Sequence, residues 1–251
     1  MSAKVPLGMT RVNPSLARSR RVSFRHTSHH TIVHRPLRHL CILAILIAGC
    51  HHAPAADESS TPVEQPLRPL AQLASQRVIV TPSYYLVTGD QLGWGAQIPK
   101  ARDYLRTFDE ELANILAERG LKSQWLYPAD LLRATRANPT YAVDPYTLGA
   151  NILRGSDVVS GTRLVDPLAT QLRTMIALQE GARAVLVPVE IHFEKAGATG
   201  QGVAALKVAL LDGRLGDVRW IGTVRSDPAP ALSRAVLTTL AAHFADLFTA
   251  P

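Results

Sequence analysis

The sequence predicts an α/β domain with a mixed sheet of about five strands, and three features carry that prediction. Residues 100–119 repeat apolar side chains at spacings of three and four, the period of a helix with one face on a core. Residues 183–194 alternate apolar and polar side chains, the period of a strand. Residues 203–211 and 217–225 are two further strand-like runs, joined by Asp212-Gly213-Arg214-Leu215-Gly216, a short turn-forming link. A helical crossover permits parallel neighbours and a short hairpin forces antiparallel ones, so the sheet is mixed.

In chain order, residues 77–87 are rich in Val, Ile and Tyr and read as the first strand. Gly89, Gly93 and Gly95 surround Trp94 in a stretch that reads as a mobile loop. The helix over 100–119 carries the stripe Ala101, Leu105, Phe108, Leu112 and Ile115, stops at Gly120, and turns Asp109-Glu110-Glu111 to solvent. Residues 124–127 form a short second strand, and a short helix with some loop is expected between 136 and 165. Asp-Pro precedes three helical patterns, at Asp144-Pro145, Asp166-Pro167 and Asp227-Pro228; Asp as N-cap with Pro at the first helical position is a good start signal. The helix after Asp166 carries Leu168, Leu172, Met175 and Ile176, and the last helix, about 229–248, carries Leu232, Val236, Leu240, His243 and Leu247. In the strand over 183–194, Val185, Val187, Val189, Ile191 and Phe193 are expected on one face. Pro188 points to an edge, a bulge or a strand end. The expected order is β-α-β-α-α-β-β-β-α over residues 71–251, in two or three layers.

A formal charge of +7 suggests a nucleic-acid binder until its distribution is read. Residues 1–49 hold 8 of the 27 Lys and Arg and none of the 20 Asp and Glu, which leaves 19 basic residues against 20 acidic ones and a net charge near −1 for the remainder. An acid-free leader is the composition of a targeting segment, so the basic character gives no support to DNA or RNA as a partner.

The apolar run over residues 40–48 is too short to span a bilayer, which takes about 20 residues, and suits the core of a signal peptide. It closes on Ile47-Ala48-Gly49-Cys50, which resembles the lipobox of bacterial lipoproteins: an aliphatic residue, two small ones, then the cysteine that accepts diacylglycerol. The resemblance implies cleavage before Cys50 and a membrane anchor on its thiol. In such lipoproteins Asp after the cysteine commonly retains the product at the inner membrane. His51 here implies the outer membrane, facing the periplasm. Residues 50–70 continue as a Pro-, Ala-, Ser- and Thr-rich stretch expected to act as a flexible tether. The only other cysteine, Cys41, lies in the leader, so neither a disulfide framework nor a thiolate metal site is expected in the domain.

The features Val78-Ile79-Val80, the helix through Leu112 to Gly120, the strand through Ala182 to Val189, the hairpin at Asp212-Gly213 and the closing helix together resemble an envelope family. That family includes the curli-secretion lipoprotein, the lipoprotein activators of penicillin-binding proteins and the N-terminal domain of the Tol–Pal propeller protein. The resemblance implies a non-catalytic domain that binds another envelope protein in assembly or maintenance of the envelope.

Chemistry has few candidates. Glu190, His192 and Glu194 share one strand face and are a possible divalent-metal set. Their spacing of about 6–7 Å is wide for one ion, so a solvated face opposite the apolar row explains them better. Beyond the tether only His192 and His243 remain for histidine-based hydrolysis. The sequence contains no G-x-S-x-G elbow, H-E-x-x-H, Walker loop or dinucleotide fingerprint, and no cofactor is expected. Trp94, Tyr84, Tyr85 and Trp125 are the candidates for an exposed aromatic contact patch. Three classes of function follow: a lipid-anchored protein-binding domain, a lipid-anchored hydrolase using His192 or His243, and a small-ligand binder with a deep apolar pocket.

Overall fold

A computed structural model describes residues 68–179, 181–197 and 200–250; the leader, Cys50 and the tether up to residue 67 lie outside the described residues. Six strands form one mixed sheet: β1 (Val78–Val80), β2 (Tyr85–Leu86), β3 (Trp125–Leu126), β4 (Ala184–Lys195), β5 (Gly202–Asp212) and β6 (Asp217–Arg225). The spatial order is β3-β1-β4-β5-β6, with β2 pairing farther along β4. β1 runs parallel to β3 and β4, β2 runs parallel to β4, and β4, β5 and β6 are successively antiparallel. The helices are α1 (Ala101–Glu118), α2 (Pro128–Ala137), α3 (Leu168–Ala177) and α4 (Arg234–Asp246). Among the described residues no helix is long and apolar enough to cross a membrane.

The α/β class and the mixed sheet agree with the sequence, and the architecture has three layers. On one face α1 and α4 pack Phe108, Leu112, Leu116, Leu240 and Phe244 against Val78, Leu186, Leu206 and Val208. On the other face α2 and α3 pack Leu131, Leu168, Leu172 and Met175 against Ile79, Val185, Val187 and Leu211. Burial on both faces makes β4 the central strand, flanked by β1 and β2 on one side and β5 on the other. At the start of the domain Leu70 is buried in the first cluster and its N–H donates to the Leu247 carbonyl.

Several elements depart from the sequence expectation. The first strand is two: it breaks after Val80 and resumes at Tyr85. β4 is bulged between Pro188 and Glu190. The extra residue moves the strand by one step, so Val185, Val187 and Val189 face α3 while Ile191 and Phe193 face α1 and α4. The short helix expected between 136 and 165 lies earlier, as α2, with only 3-10 turns at Pro145–Thr147 and Ala150–Arg154. Pro128 in its first turn and Asp130, which accepts the Tyr127 N–H at 3.1 Å, start α2. Asp144 caps as expected, accepting the Tyr146 N–H at 2.9 Å, but over a single turn. Asp166 accepts the Thr170 N–H and hydroxyl at 3.1 and 2.6 Å, one step outside the expected cap because Pro167 precedes the first helical residue. The last helix starts at Arg234 and not near 229. Pro230 disfavours the helical conformation at Ala229, which instead forms a bridge with Gly202. Its buried stripe is Val236, Leu237, Leu240, Ala241, Phe244 and Ala245, which leaves His243 beside the core and not in it.

Candidate functional site

The break in the first strand builds a cleft. Pro82 carries no N–H for the sheet, and Pro188 lies across the same gap in β4. Thr81 still donates to the Leu186 carbonyl, and Val87 to the Ile191 carbonyl, so pairing survives on both sides of the gap. Between them the Ser83 N–H has left the ladder and donates to Asp109 Oδ1 at 2.9 Å; the Ser83 hydroxyl donates to the same oxygen at 2.7 Å. Asp109 reaches this position because it lies within the buried stripe of α1, between Leu105, Phe108 and Leu112. The expectation that Asp109-Glu110-Glu111 form a solvated face is therefore corrected. Only Glu110 is exposed; Asp109 is 6 % exposed, and Glu111 accepts from Thr238 at 2.7 Å and Arg234 at 2.9 Å on α4.

The cleft has a volume of about 330 Å³, with Asp109 and Ser83 at its floor, Tyr84, Tyr85 and Tyr146 among its walls, and Arg102 and Arg106 on its rim. Burial pushes the Asp109 carboxyl up from 3.8 to about 7; the two Ser83 hydrogen bonds pull it down and the neighbouring Glu110 charge pushes it up. No protein group hydrogen-bonds to its second oxygen, Oδ2. Burial also raises Tyr84, whose hydroxyl donates to the Pro145 carbonyl at 2.7 Å, and Tyr146, where the Asp109 charge adds to the rise. Near neutral pH the floor is thus a partly protonated carboxyl beside neutral phenols. Asp109 Oδ2 is enclosed beneath the cleft surface, so the groups a bound molecule would meet are the half-buried Tyr85 and Tyr146 and the exposed Arg102 and Arg106. Arg106 is tied to Asp103 at 3.0 Å in an exposed pair, and Arg154 stacks over Tyr85 at 4.7 Å while bonding Glu190.

The four aromatic candidates do not form one exposed patch. Trp94 and Trp125 are core residues, 4 % and 2 % exposed. Trp94 packs edge-on to Phe193 at 5.6 Å, and Trp125 edge-on to Phe248 at 4.9 Å with its indole N–H donating to the Leu73 carbonyl. Their apolar area is worth more in the core than in water, which outweighs any interface preference. Tyr84 and Tyr85 remain together, 6.4 Å apart, in the cleft wall. The loop around Trp94 is tied down: Asp90 accepts the N–H groups of Leu92, Trp94 and Gly95 at 2.7–3.1 Å. Burial pushes Asp90 up, but those backbone N–H groups win and hold it below its usual range.

Glu190, His192 and Glu194 do share a face, but it is the face of Val185, Val187 and Val189, because the bulge carries the row across. Each carboxylate meets a guanidinium, Glu190 that of Arg154 and Glu194 that of Arg225 at 2.6 Å, while His192 lies 3.5 Å from Glu194. Among the described residues no three metal-capable side chains converge. His243 Nδ1 is paired with the Arg225 carbonyl at 2.7 Å, and its Nε2 lies 3.5 Å from Asp227. Neither histidine lines the cleft, which removes the geometry that hydrolysis through His192 or His243 would need there.

No family model and no curated protein matches the chain. Solved structures similar to it include a PelC dodecamer from Paraburkholderia phytofirmans, 15 % identical over 70 % of this chain and 89 % of that one with a TM-score of 0.32. A point variant of the same protein is 16 % identical over 70 % and 91 %, with a TM-score of 0.34. Likeness at this level assigns neither fold nor function.

Proposed function

We propose that this chain is a lipid-anchored envelope protein, held by acylated Cys50 in the outer membrane, whose α/β domain binds another envelope protein in assembly or maintenance of the envelope. The observation that carries the reading is Ile47-Ala48-Gly49-Cys50 at the end of a short apolar run, preceded by an acid-free basic segment and followed by a polar tether. Two or more acyl chains on one cysteine anchor a protein stably, at about 0.8 kcal/mol per buried CH₂. The cleft supports the binding half: the half-buried Tyr85 and Tyr146 and the exposed Arg102 and Arg106 offer an amphipathic rim to a partner side chain.

Labelled palmitate fed to cells making the protein tests the anchor, with Cys50→Ala as the comparison. Label on the parent and none on the variant supports it; equal label on both, or none on either, sinks it. A photo-crosslinking residue at Tyr85 in intact envelopes tests the binding face, with Lys122, exposed at the far end of α1, as the control site. A discrete protein adduct from 85 and not from 122 is expected. No adduct, or the same adduct from both sites, removes the cleft from the proposal.

A further inference from the structure

The end of the sheet beside residues 72–76 carries a second, unrelated surface. β1 and β4 begin there, β5 ends and β6 begins there, and Gln72 and Gln76 of the entering chain line one groove with Arg183, Asp212 and Arg219. An adjoining groove of about 650 Å³ runs between α3 and the β5–β6 hairpin, lined by Arg173, Arg183 and Arg214. Arg77 approaches it at Gly181, and Arg163 donates to the Leu215 carbonyl at the hairpin tip. Six arginines thus meet three aspartates. Arg183 and Arg219 reach Asp212 at 3.8 and 3.7 Å, Arg219 reaches Asp217 at 3.8 Å, and the exposed Asp166 faces Arg173. Among the described residues that line or flank these grooves arginines outnumber aspartates, although residues 50–251 as a whole are close to neutral.

Apolar exposure gathers at the same place. Of the four large hydrophobic side chains exposed among the described residues, three are Val159, Val165 and Leu215. The Leu164 N–H donates to Gly216 and the Gly161 N–H to Val218, which ties the segment bearing Val159 and Val165 to the hairpin bearing Leu215. Exposed aliphatic side chains ringed by arginines match a lipid–water interface, where guanidinium groups meet phosphates while apolar tips enter the acyl boundary.

We infer that this end of the domain docks on an anionic phospholipid surface, so that the domain stands on the membrane that anchors it with the Asp109 cleft turned away. The inference rests on the anchor proposed above. Residues 51–67 separate Cys50 from Arg68, and a chain of that length reaches at most about 65 Å however it is arranged. An anchor at Cys50 thus confines the arginines near the headgroups, and docking brings them within a Debye length, about 8 Å, of the phosphates. β4 runs from this end toward the cleft, with Ala184 paired to β1 and Glu190 to β2, and its far terminus at Lys195 lies roughly 37 Å away at about 3.3–3.4 Å per residue.

The test uses the lipidated protein reconstituted in vesicles of phosphatidylethanolamine alone or with phosphatidylglycerol. With Cys41 removed in the leader and Cys50 acylated, Leu215→Cys supplies a single thiol for an environment-sensitive fluorophore, and Lys195→Cys supplies the control. Flotation with both vesicle types reports the anchor. A blue shift at 215 on phosphatidylglycerol vesicles, absent on neutral vesicles and absent at 195, reports docking. Each arginine at an anionic surface is worth on the order of five-fold in partition, so Arg173→Glu with Arg214→Glu lowers it more than about 20-fold and the shift disappears. Flotation with no shift at 215, or the same shift on both lipids, overturns the docking while leaving the anchor standing; failure to float overturns both.

Discussion

Asp109→Asn is expected to leave stability almost unchanged near pH 4 and to raise it near pH 8. The carboxyl moves from 3.8 in the unfolded chain to about 7 in the folded one, chiefly through burial. A raised carboxyl pKa means that the folded state holds the proton more tightly. Between about pH 4 and pH 7 the unfolded chain has released it and the folded chain has not, so this group's contribution to stability falls as pH rises through that window. At roughly 1.4 kcal/mol per tenfold change, the loss across the window is about 4 kcal/mol. Asn cannot ionise. Its Oδ1 keeps both Ser83 hydrogen bonds, and its amide takes the place of the protonated Oδ2. Carboxylates held below their usual range, such as Asp90, Glu111 and Glu194, give the opposite slope near pH 4 in both proteins and cancel in the difference. Urea unfolding from pH 4 to 8, followed by fluorescence of the buried Trp94 and Trp125, measures that difference. A gap between variant and parent that widens toward several kcal/mol by pH 8 is expected. Parallel curves across the range would refute the reasoning, because Asp109 would then titrate as an ordinary exposed carboxyl.

Trp125→Ala is expected to cost about 3–5 kcal/mol in the same unfolding assay, since it empties a core site shared with Phe248 and abandons the hydrogen bond to Leu73. Gly95→Ala would place its Cβ 2.2 Å from the Thr88 carbonyl oxygen, a backbone atom that cannot step aside, and a loss of about 1–3 kcal/mol in thermal unfolding is expected.

Long segments were legible in the sequence where composition and punctuation agree over many residues. α1 obeys the helical period from end to end, and β5 and β6 stand out as apolar runs on either side of a turn in which Asp212 accepts the Arg214 and Leu215 N–H groups at 2.9 Å. The misreadings fall where one residue overrides a pattern. Pro82 split the first strand, Pro188 accompanied a bulge that exchanged the faces of β4, and Pro230 delayed α4. The α2 signal was present in Pro128 and Asp130 but short. The site was less legible than the fold. Tyr84 and Tyr85 were found, whereas Asp109 and Ser83 were missed. The position of Asp109 between Leu105 and Leu112 on the apolar stripe was the available signal, overlooked because three consecutive acids suggest water. What satisfies a buried carboxylate depends on a residue 26 positions away, and no local pattern reports that distance.

The anchor at Cys50 can be read from a single peptide. Mass spectrometry of the N-terminal peptide of protein extracted from membranes should find Cys50 as its first residue, carrying a diacylglyceryl group on sulfur. A peptide that runs unmodified through Gly49-Cys50-His51, or a mature N-terminus elsewhere, would contradict the lipid anchor and, with it, the orientation of the domain on the membrane.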